Sequence, residues 1–349
     1  MCVFTITTGE TMAENNTTKN VNRRTFFRII GVAGASAVCW KMGLFSNQAT
    51  LHRVSRSQPL MGTVLNLTLY GPDREQCEEA LSRTAATMQS LEARFSRHIK
   101  TSELAQLNRH GLLHSPTEDL KKVLQMATDL SIKSSGAFDV TMLPLLQLRE
   151  QGAGLQSPDR DKYNRLIGFD KVHIGSDVIR LDHDKMAVTL DGIGKGYIVD
   201  RGVESLKRSG FANVYVEAGG DLMVTGLKQD KAPWRIGIQN PRPQNHKGKL
   251  MTVIEVSDKA VATSGDYMQA FATDFTQHHI IDPRSWSSPP ELASVTVTAP
   301  TVALADGLST AVMVLGPDLG KELIEQSDGC EAYMVGKDLK EYTTTGFFS

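Results

Sequence analysis

Residues 191–200, Asp191-Gly192-Ile193-Gly194-Lys195-Gly196-Tyr197-Ile198-Val199-Asp200, set three glycines and a lysine between an apolar run at 186–190 and an amphipathic run at 197–208. The first run predicts a strand and the second a helix, so the chain must turn sharply between them, which glycine permits. Such a junction suits a phosphate. Glycines let the backbone approach an anion, a helix N-terminus presents unpaired N–H groups, and Lys195 adds a positive charge. It is not a P-loop, because Gly196 follows the lysine where Ser or Thr is needed, and its glycines lack the dinucleotide-fingerprint spacing. A glycine-rich turn before a helix is by itself commonly only a turn, so other stretches must decide.

Helices are predicted over 73–97, with Ala80, Leu81, Ala85, Met88, Leu91 and Phe95 inward, over 103–108 behind a Thr101 or Ser102 cap, over 117–134, and over 301–315. Strands are predicted at 64–69 and then, from Lys171 onward, at 171–175, 178–182, 213–218, 222–226, 234–239, 250–256, 260–264 and 293–299. Elements segregated in this way predict an α+β fold with mixed, mostly antiparallel sheets rather than a regular doubly wound one. A chain of 349 residues, 40% hydrophobic, without internal repeats or a convincing linker after Pro59, implies a single domain over 51–349. A polar connector at 46–58 leads into it, and folded structure is expected to begin at Pro59.

The 38 basic side chains against 39 acidic ones leave no field to attract nucleic acid, so a small ligand is the expected partner. Asn22-Arg23-Arg24-Thr25-Phe26-Phe27-Arg28 precedes an apolar run at 29–40 that falls short of the roughly 20 residues needed to span a bilayer. That order reads as a twin-arginine export signal, so residues 1–50 are assigned to signal and connector and the destination is the periplasm. Left uncleaved, the run would serve as a membrane anchor; Ala35-Ser36-Ala37 and Ala49 are both candidate cleavage positions. Outside this region the cysteines are Cys77 and Cys330, and nothing in the sequence shows whether they pair.

Four further stretches hold more polar chemistry than a core requires. Glu217-Ala218-Gly219-Gly220-Asp221 joins two strands at a glycine pair with a carboxylate alongside, as an ordinary hairpin also would. Thr263-Ser264-Gly265-Asp266-Tyr267 offers hydroxyls suited to phosphate or ribose oxygens, a composition that turns share. His278-His279-Ile280-Ile281-Asp282-Pro283-Arg284 offers an imidazole as general base or proton relay, against the commoner role of a surface or core histidine. In the apolar helix at 301–315, Asp306 and Thr310 stand one turn apart on one face, where hard oxygens could hold Mg²⁺; alternatively Thr310 bonds back to the Asp306 carbonyl.

The order of these stretches resembles the FAD:protein FMN transferase family, also called ApbE. The resemblance runs from Met61 to about Leu315 through Met61-Gly62-Thr63, Ser102-Glu103-Leu104 with Asn108, Gly136-Ala137-Phe138-Asp139 with Thr141, and Gly194-Lys195-Gly196-Tyr197 with Val199-Asp200-Arg201. It continues through Gly219-Gly220-Asp221, residues 263–267, residues 279–284, and Ala305-Asp306 with Ser309-Thr310-Ala311. It implies a two-layer T-fold-like sandwich and a Mg²⁺-dependent reaction. FAD is cleaved at its pyrophosphate, FMN becomes ester-linked to a threonine in a Ser/Thr-rich motif of an acceptor protein, and AMP leaves. It further implies metal contacts from Gly192, Asp306, Ser309 and Thr310, and FAD contacts from Met61, His98, Ala137, Phe138, Asp139, Thr189, Lys195 and Ile280. His279 and Lys195 would act in catalysis.

Some positions depart from the family pattern. Thr189-Leu190-Asp191-Gly192 stands where Asp-Leu-Gly-Gly is common, so a flavin-side carboxylate is replaced by the Thr189 hydroxyl or displaced to Asp191. His98 replaces a frequent aromatic, and Arg284-Ser285-Trp286 replaces a usual Arg/Lys-Thr-Gly. A twin-arginine signal is uncommon in the family and makes the chain similar to accessory members associated with nitrous oxide respiration, which flavinylate a membrane regulator; the resemblance implies a membrane-bound respiratory subunit as the acceptor here. Two other activities fit the same residues: FAD hydrolysis to FMN and AMP, and FAD carriage or assembly without turnover.

Overall fold

In the computed structural model, which describes residues 51–151, 160–228, 231–243 and 248–349, the first element is an edge strand. His52–Leu60 (β1) pairs antiparallel with Thr63–Gly71 (β2). Structure therefore begins before Pro59. The composition hid β1 because only Val54 and Leu60 of its nine residues are buried, and an edge strand needs no apolar alternation. The expected export signal lies outside the described residues.

Helices follow at Arg74–Phe95 (α1), Glu103–His110 (α2) and Glu118–Lys133 (α3), started by Asp73, Ser102 and Thr117, whose side chains accept a backbone N–H of the first turn. Leu112–His114 (β3) separates α2 from α3; Leu143–Glu150 (α4) and Arg160–Asn164 (α5) come next. Val172–Ile174 (β4) and Val178–Leu181 (β5) join β3 in a three-stranded sheet. Gly194–Arg208 (α6) leads to Val214–Ala218 (β6), Asp221–Thr225 (β7), Trp234–Gln239 (β8), Leu250–Val256 (β9), Lys259–Gly265 (β10) and Leu292–Ala299 (β11). Val302–Glu325 (α7), Glu331–Gly336 (β12) and Glu341–Thr343 (β13) complete the order.

Eight strands form one sheet in the order β1-β2-β6-β7-β10-β11-β12-β13, and each of its described ladders is antiparallel. Side chains alternate across it with period two. Val214 and Val216 of β6, Met223 of β7, and Ala260 and Ala262 of β10 enter the larger core, shared with α1, α3, α6 and α7. Tyr215, Leu222, Val224 and Val261 enter a second core against Trp234, Ile236 and Ile254 of the β8–β9 hairpin. Both faces are thus covered, which is why these strands read as nearly continuous apolar runs. By length and composition α7 could cross a membrane, yet Val302, Ala305, Leu308, Ala311 and Val312 are buried within the protein. It continues past the expected end at Leu315 through a break at Gly316 (φ 79°) before Pro317.

The run at 186–190, expected as a strand, joins no ladder. Its amides are met otherwise: Asn108 Nδ2 donates to the Val188 carbonyl at 2.8 Å, Val188 N donates to Asn108 Oδ1 at 2.7 Å, and Thr189 N donates to the Val140 carbonyl at 2.7 Å. A side-chain amide and a turn replace the neighbouring strand. Cys77 and Cys330 are separate, buried free thiols.

Candidate active site

Two tight turns lie side by side at one end of the large sheet. Met61 (φ 51°) and Gly62 (φ 69°) form the two-residue turn between β1 and β2, closed by the Leu60–Thr63 pair. Left-handed backbone is unusual for methionine and is held by the Met61 N–H donating to Glu92 Oε1 of α1 at 2.9 Å. Gly219 (φ 62°) and Gly220 (φ 103°) link β6 to β7, and a Cβ on Gly219 would lie 3.0 Å from the Thr63 side chain. Glu217, buried just before this turn, accepts from Gly220 N at 2.7 Å and from Asn66 Nδ2 at 2.5 Å.

The glycine–lysine junction meets α7 at this end. A Cβ on Gly196 would lie 2.5 Å from the Val302 carbonyl oxygen, so only glycine lets α6 touch the start of α7. The same contact is fixed by Asp200, whose carboxylate accepts from Val302 N at 2.8 Å and Ala303 N at 2.9 Å, capping α7 from outside. One turn into α7, Asp306 Oδ2 accepts from Gly196 N at 3.1 Å. The Lys195 ammonium is bound to Asp221 and stands 3.9 Å from Asp306 Oδ2. Thr310 Oγ1 lies 3.2 Å from Ser264 Oγ, which is 2.7 Å from Ser309 Oγ. Gly192 faces them: a Cβ there would come within 3.2 Å of Thr310 Oγ1 and of Phe138 Cε2.

Of the sequence candidates, Gly192, Lys195, Asp306, Ser309, Thr310 and Phe138 are brought together. The Thr310 hydroxyl also bonds back to the Asp306 carbonyl at 3.3 Å, so the local bond and the clustered placement coexist. Several of the N–H groups expected to cradle phosphate are taken within the protein. Ile193 N and Gly194 N donate to the Leu190 carbonyl, Gly196 N to Asp306, and Asp191 N to Thr189 Oγ1. The carboxylate of Asp306 occupies the helix end that an anion would take, which leaves side chains to do the binding. Burial pushes the Asp306 carboxyl well above the usual carboxylate range; Lys195 works against that shift and Asp221 adds to it. Glu217 is pushed up likewise, chiefly by burial. Two buried carboxylates, Asp221 and Asp306, thus share Lys195, with buried Glu217 within its electrostatic reach.

His279 is partly buried on the loop between β10 and β11. Burial lowers its pKa first; of the nearby charges, Asp191 raises it and Lys195 lowers it, so the ring lies within their electrostatic reach. Its Nδ1 is buried without a hydrogen-bond partner. The adjacent His278 is wholly buried, pushed down to about 4 chiefly by burial, and belongs to the core. Ile280 and Ala137 are buried apolar neighbours in the larger core. Asp139 acts as a cap: Oδ1 accepts from Thr141 N at 2.7 Å and Thr141 Oγ1 at 2.6 Å, and Oδ2 from Phe169 N at 3.0 Å. Its carboxylate is therefore consumed by the turn. His98 is exposed and its side chain makes no described contact with the cluster.

Asp266, in the stretch expected to offer oxygens to a ligand, is instead clasped by Arg242 through bonds of 2.9 and 2.6 Å. Of two further residues of the site, the sequence reading singled out Asp221 without giving it a role and missed Arg97. Asp221 carried a signal, its place after the glycine pair, but nothing local ties it to Lys195. Arg97 carried none; it donates to Asp191 at 3.1 Å and to Glu150 at 2.8 Å.

Hard oxygens and a lysine gathered at one sheet end suit a divalent cation and the phosphate oxygens of a ligand. The chain belongs to the ApbE family, whose model matches residues 61–334. It is 30% identical over 315 residues to the FAD:protein FMN transferase of Haemophilus influenzae, covering 85% of this chain and 90% of that protein. Among solved structures it is similar to the flavin transferase ApbE from Vibrio cholerae (29% identity, TM-score 0.72, 85% of this chain and 98% of that one). It is also similar to the apo flavinyl transferase ApbE of Pseudomonas stutzeri (29% identity, TM-score 0.73, 88% and 98%).

Proposed function

We propose that this protein transfers the FMN half of FAD to a threonine hydroxyl of an acceptor protein and releases AMP. Family membership and the names of its relatives support the reaction class. The observation that carries it to this chain is the meeting of Lys195, Asp306 and Thr310 opposite Gly192.

The donor set fits Mg²⁺. Asp306 is a carboxylate with an excess of negative charge around it, Thr310 and Ser309 add hydroxyl oxygens, and Gly192, with no side chain to intrude, can offer its carbonyl. When bound, the ion would neutralise charge on the pyrophosphate oxygens. Lys195 supplies a second positive charge on the same side, held by Asp221. His279 is neutral at pH 7 because burial lowers its pKa, so it can accept the proton of the threonine hydroxyl as that oxygen attacks phosphorus. With Nδ1 buried, Nε2 is the nitrogen left for that transfer. Phe138, Ala137, Ile280, Met61, Thr189, His98 and the Asp139 backbone are proposed to meet the rest of FAD. Asn22–Arg28 supports export to the periplasm by the twin-arginine route, where a membrane-bound respiratory subunit with a Ser/Thr-rich motif is the proposed acceptor.

Incubation with FAD, Mg²⁺ and a peptide bearing such a motif should yield a peptide heavier by one FMN unit, read by mass spectrometry, with one AMP per adduct. AMP without labelled peptide would indicate hydrolysis instead, and retained FAD without AMP a carrier.

A further inference from the structure

The Lys195 ammonium has two buried carboxylates within reach and is bound to the one that the metal reading does not use. It bonds Asp221 and stands 3.9 Å from Asp306 Oδ2. Asp221 is 2% exposed and Asp306 4%, so neither charge is much relieved by water. Glu217 does not compete for the ammonium in the same way, because Asn66 and Gly220 already donate to it. Lysine is a point charge on a flexible stem, able to move between acceptors a few ångströms apart. An ammonium on Asp306 would take up the carboxylate's charge and repel a divalent ion placed there.

We propose that Asp221 is a positioning residue for the cation seat: it holds the Lys195 ammonium aside and so leaves the Asp306 carboxylate open to a divalent ion. This rests on the reading of Asp306 as a metal ligand. Asp221 needs no contact with the ion, and Lys195 remains close enough to meet a phosphate oxygen once the seat is filled. Taking either member of the pair away has opposite consequences, which separates this role from simple support of the fold, and the double variant separates it from direct ligation.

The test is Mn²⁺ binding to the full chain without FAD, followed by electron paramagnetic resonance of the free ion, with far-ultraviolet circular dichroism confirming the fold. Wild type should bind Mn²⁺, and Asp306→Ala should not. Asp221→Asn should weaken binding by about tenfold, as expected for a single like charge brought within a few ångströms of the ion. Lys195→Met should bind at least as tightly as wild type. The double variant Asp221→Asn/Lys195→Met should return to within about twofold of Lys195→Met, because the residue to be restrained is gone. A double variant as weak as Asp221→Asn overturns the proposal, since Asp221 would then act on the ion directly or through the fold. Weaker binding by Lys195→Met overturns it too, and does so even if Asp221→Asn fails to fold. Wild-type binding that Asp221→Asn leaves unchanged overturns this inference alone. Absence of Asp306-dependent binding in wild type overturns the metal reading and this inference with it.

Discussion

Asp266 and Asp306 are both buried carboxylates near the end of β10, and they are treated in opposite ways. Asp266 is wholly buried and has two cations to itself: Arg242 grips both its oxygens, and Lys337 Nζ lies 3.8 Å away. The guanidinium also covers the Phe275 ring at 4.1 Å, and Lys337 donates to the Phe275 carbonyl at 2.9 Å. This cluster closes the base of the loop that carries His278 and His279. Asp306 shares one lysine with Asp221; its carboxylate otherwise accepts from the Gly196 N–H, while the Ser309 and Thr310 hydroxyls bond its backbone carbonyl. Where positive charge matches or exceeds negative, the carboxylate is held as a structural pair; where it falls short, as at Asp306, the imbalance is what the proposed cation would offset.

The contrast can be broken most severely at Asp306. Replacing it with alanine should cut FMN transfer by about a thousandfold or more, as loss of a main electrostatic group does, with the melting curve little changed. An active Asp306→Ala enzyme, judged by the mass of the acceptor peptide, would put Asp306 on the structural side. Asp266→Ala should do the reverse. It strands Arg242 and Lys337 beside one another and should cost about 3–5 kcal/mol in urea unfolding, with transfer following the folded fraction.

The loop between the clusters supplies a pH test. The folded-state pKa of His278 is about 4, lowered chiefly by burial and next by Lys337, and lies below that of the unfolded chain. Its contribution to stability is therefore complete above pH 6.5 and is lost as pH falls toward 4, by up to roughly 3 kcal/mol. His278→Phe should flatten that part of the stability profile; an unchanged slope would show that another group titrates there. The smallest effect sharpens the cation side. Gly192→Ala places a methyl 3.2 Å from Thr310 Oγ1 and Phe138 Cε2, so transfer should fall by about tenfold while stability shifts by less than about 1 kcal/mol.

Much of the frame was legible because its causes are local. Ser102 and Thr117 cap helices where a hydroxyl precedes the periodic run, and β8 and β9 occupy the predicted residues. The misses have physical reasons. β1 is polar because it is an edge, and Met186, Val188 and Leu190 are apolar because they are buried, although the run joins no ladder. Candidate ligands on one helix, Asp306 and Thr310, were visible from spacing. Arg97 was not, since the residues it joins, Asp191 and Glu150, are distant in the chain.

By itself, the sequence determined the segregation of helices and strands, the glycine pairs that make the tight turns, and the ordered motifs that place the chain in its family. All of these follow from short-range sterics and periodicity. Only the tertiary structure decided which carboxylates share a lysine, that Asp306 accepts an N–H of the first turn of α6, and that Asp266 is held by Arg242. Charge pairing depends on distance in space, and residues as far apart as Gly196 and Asp306 become neighbours only when α6 and α7 touch.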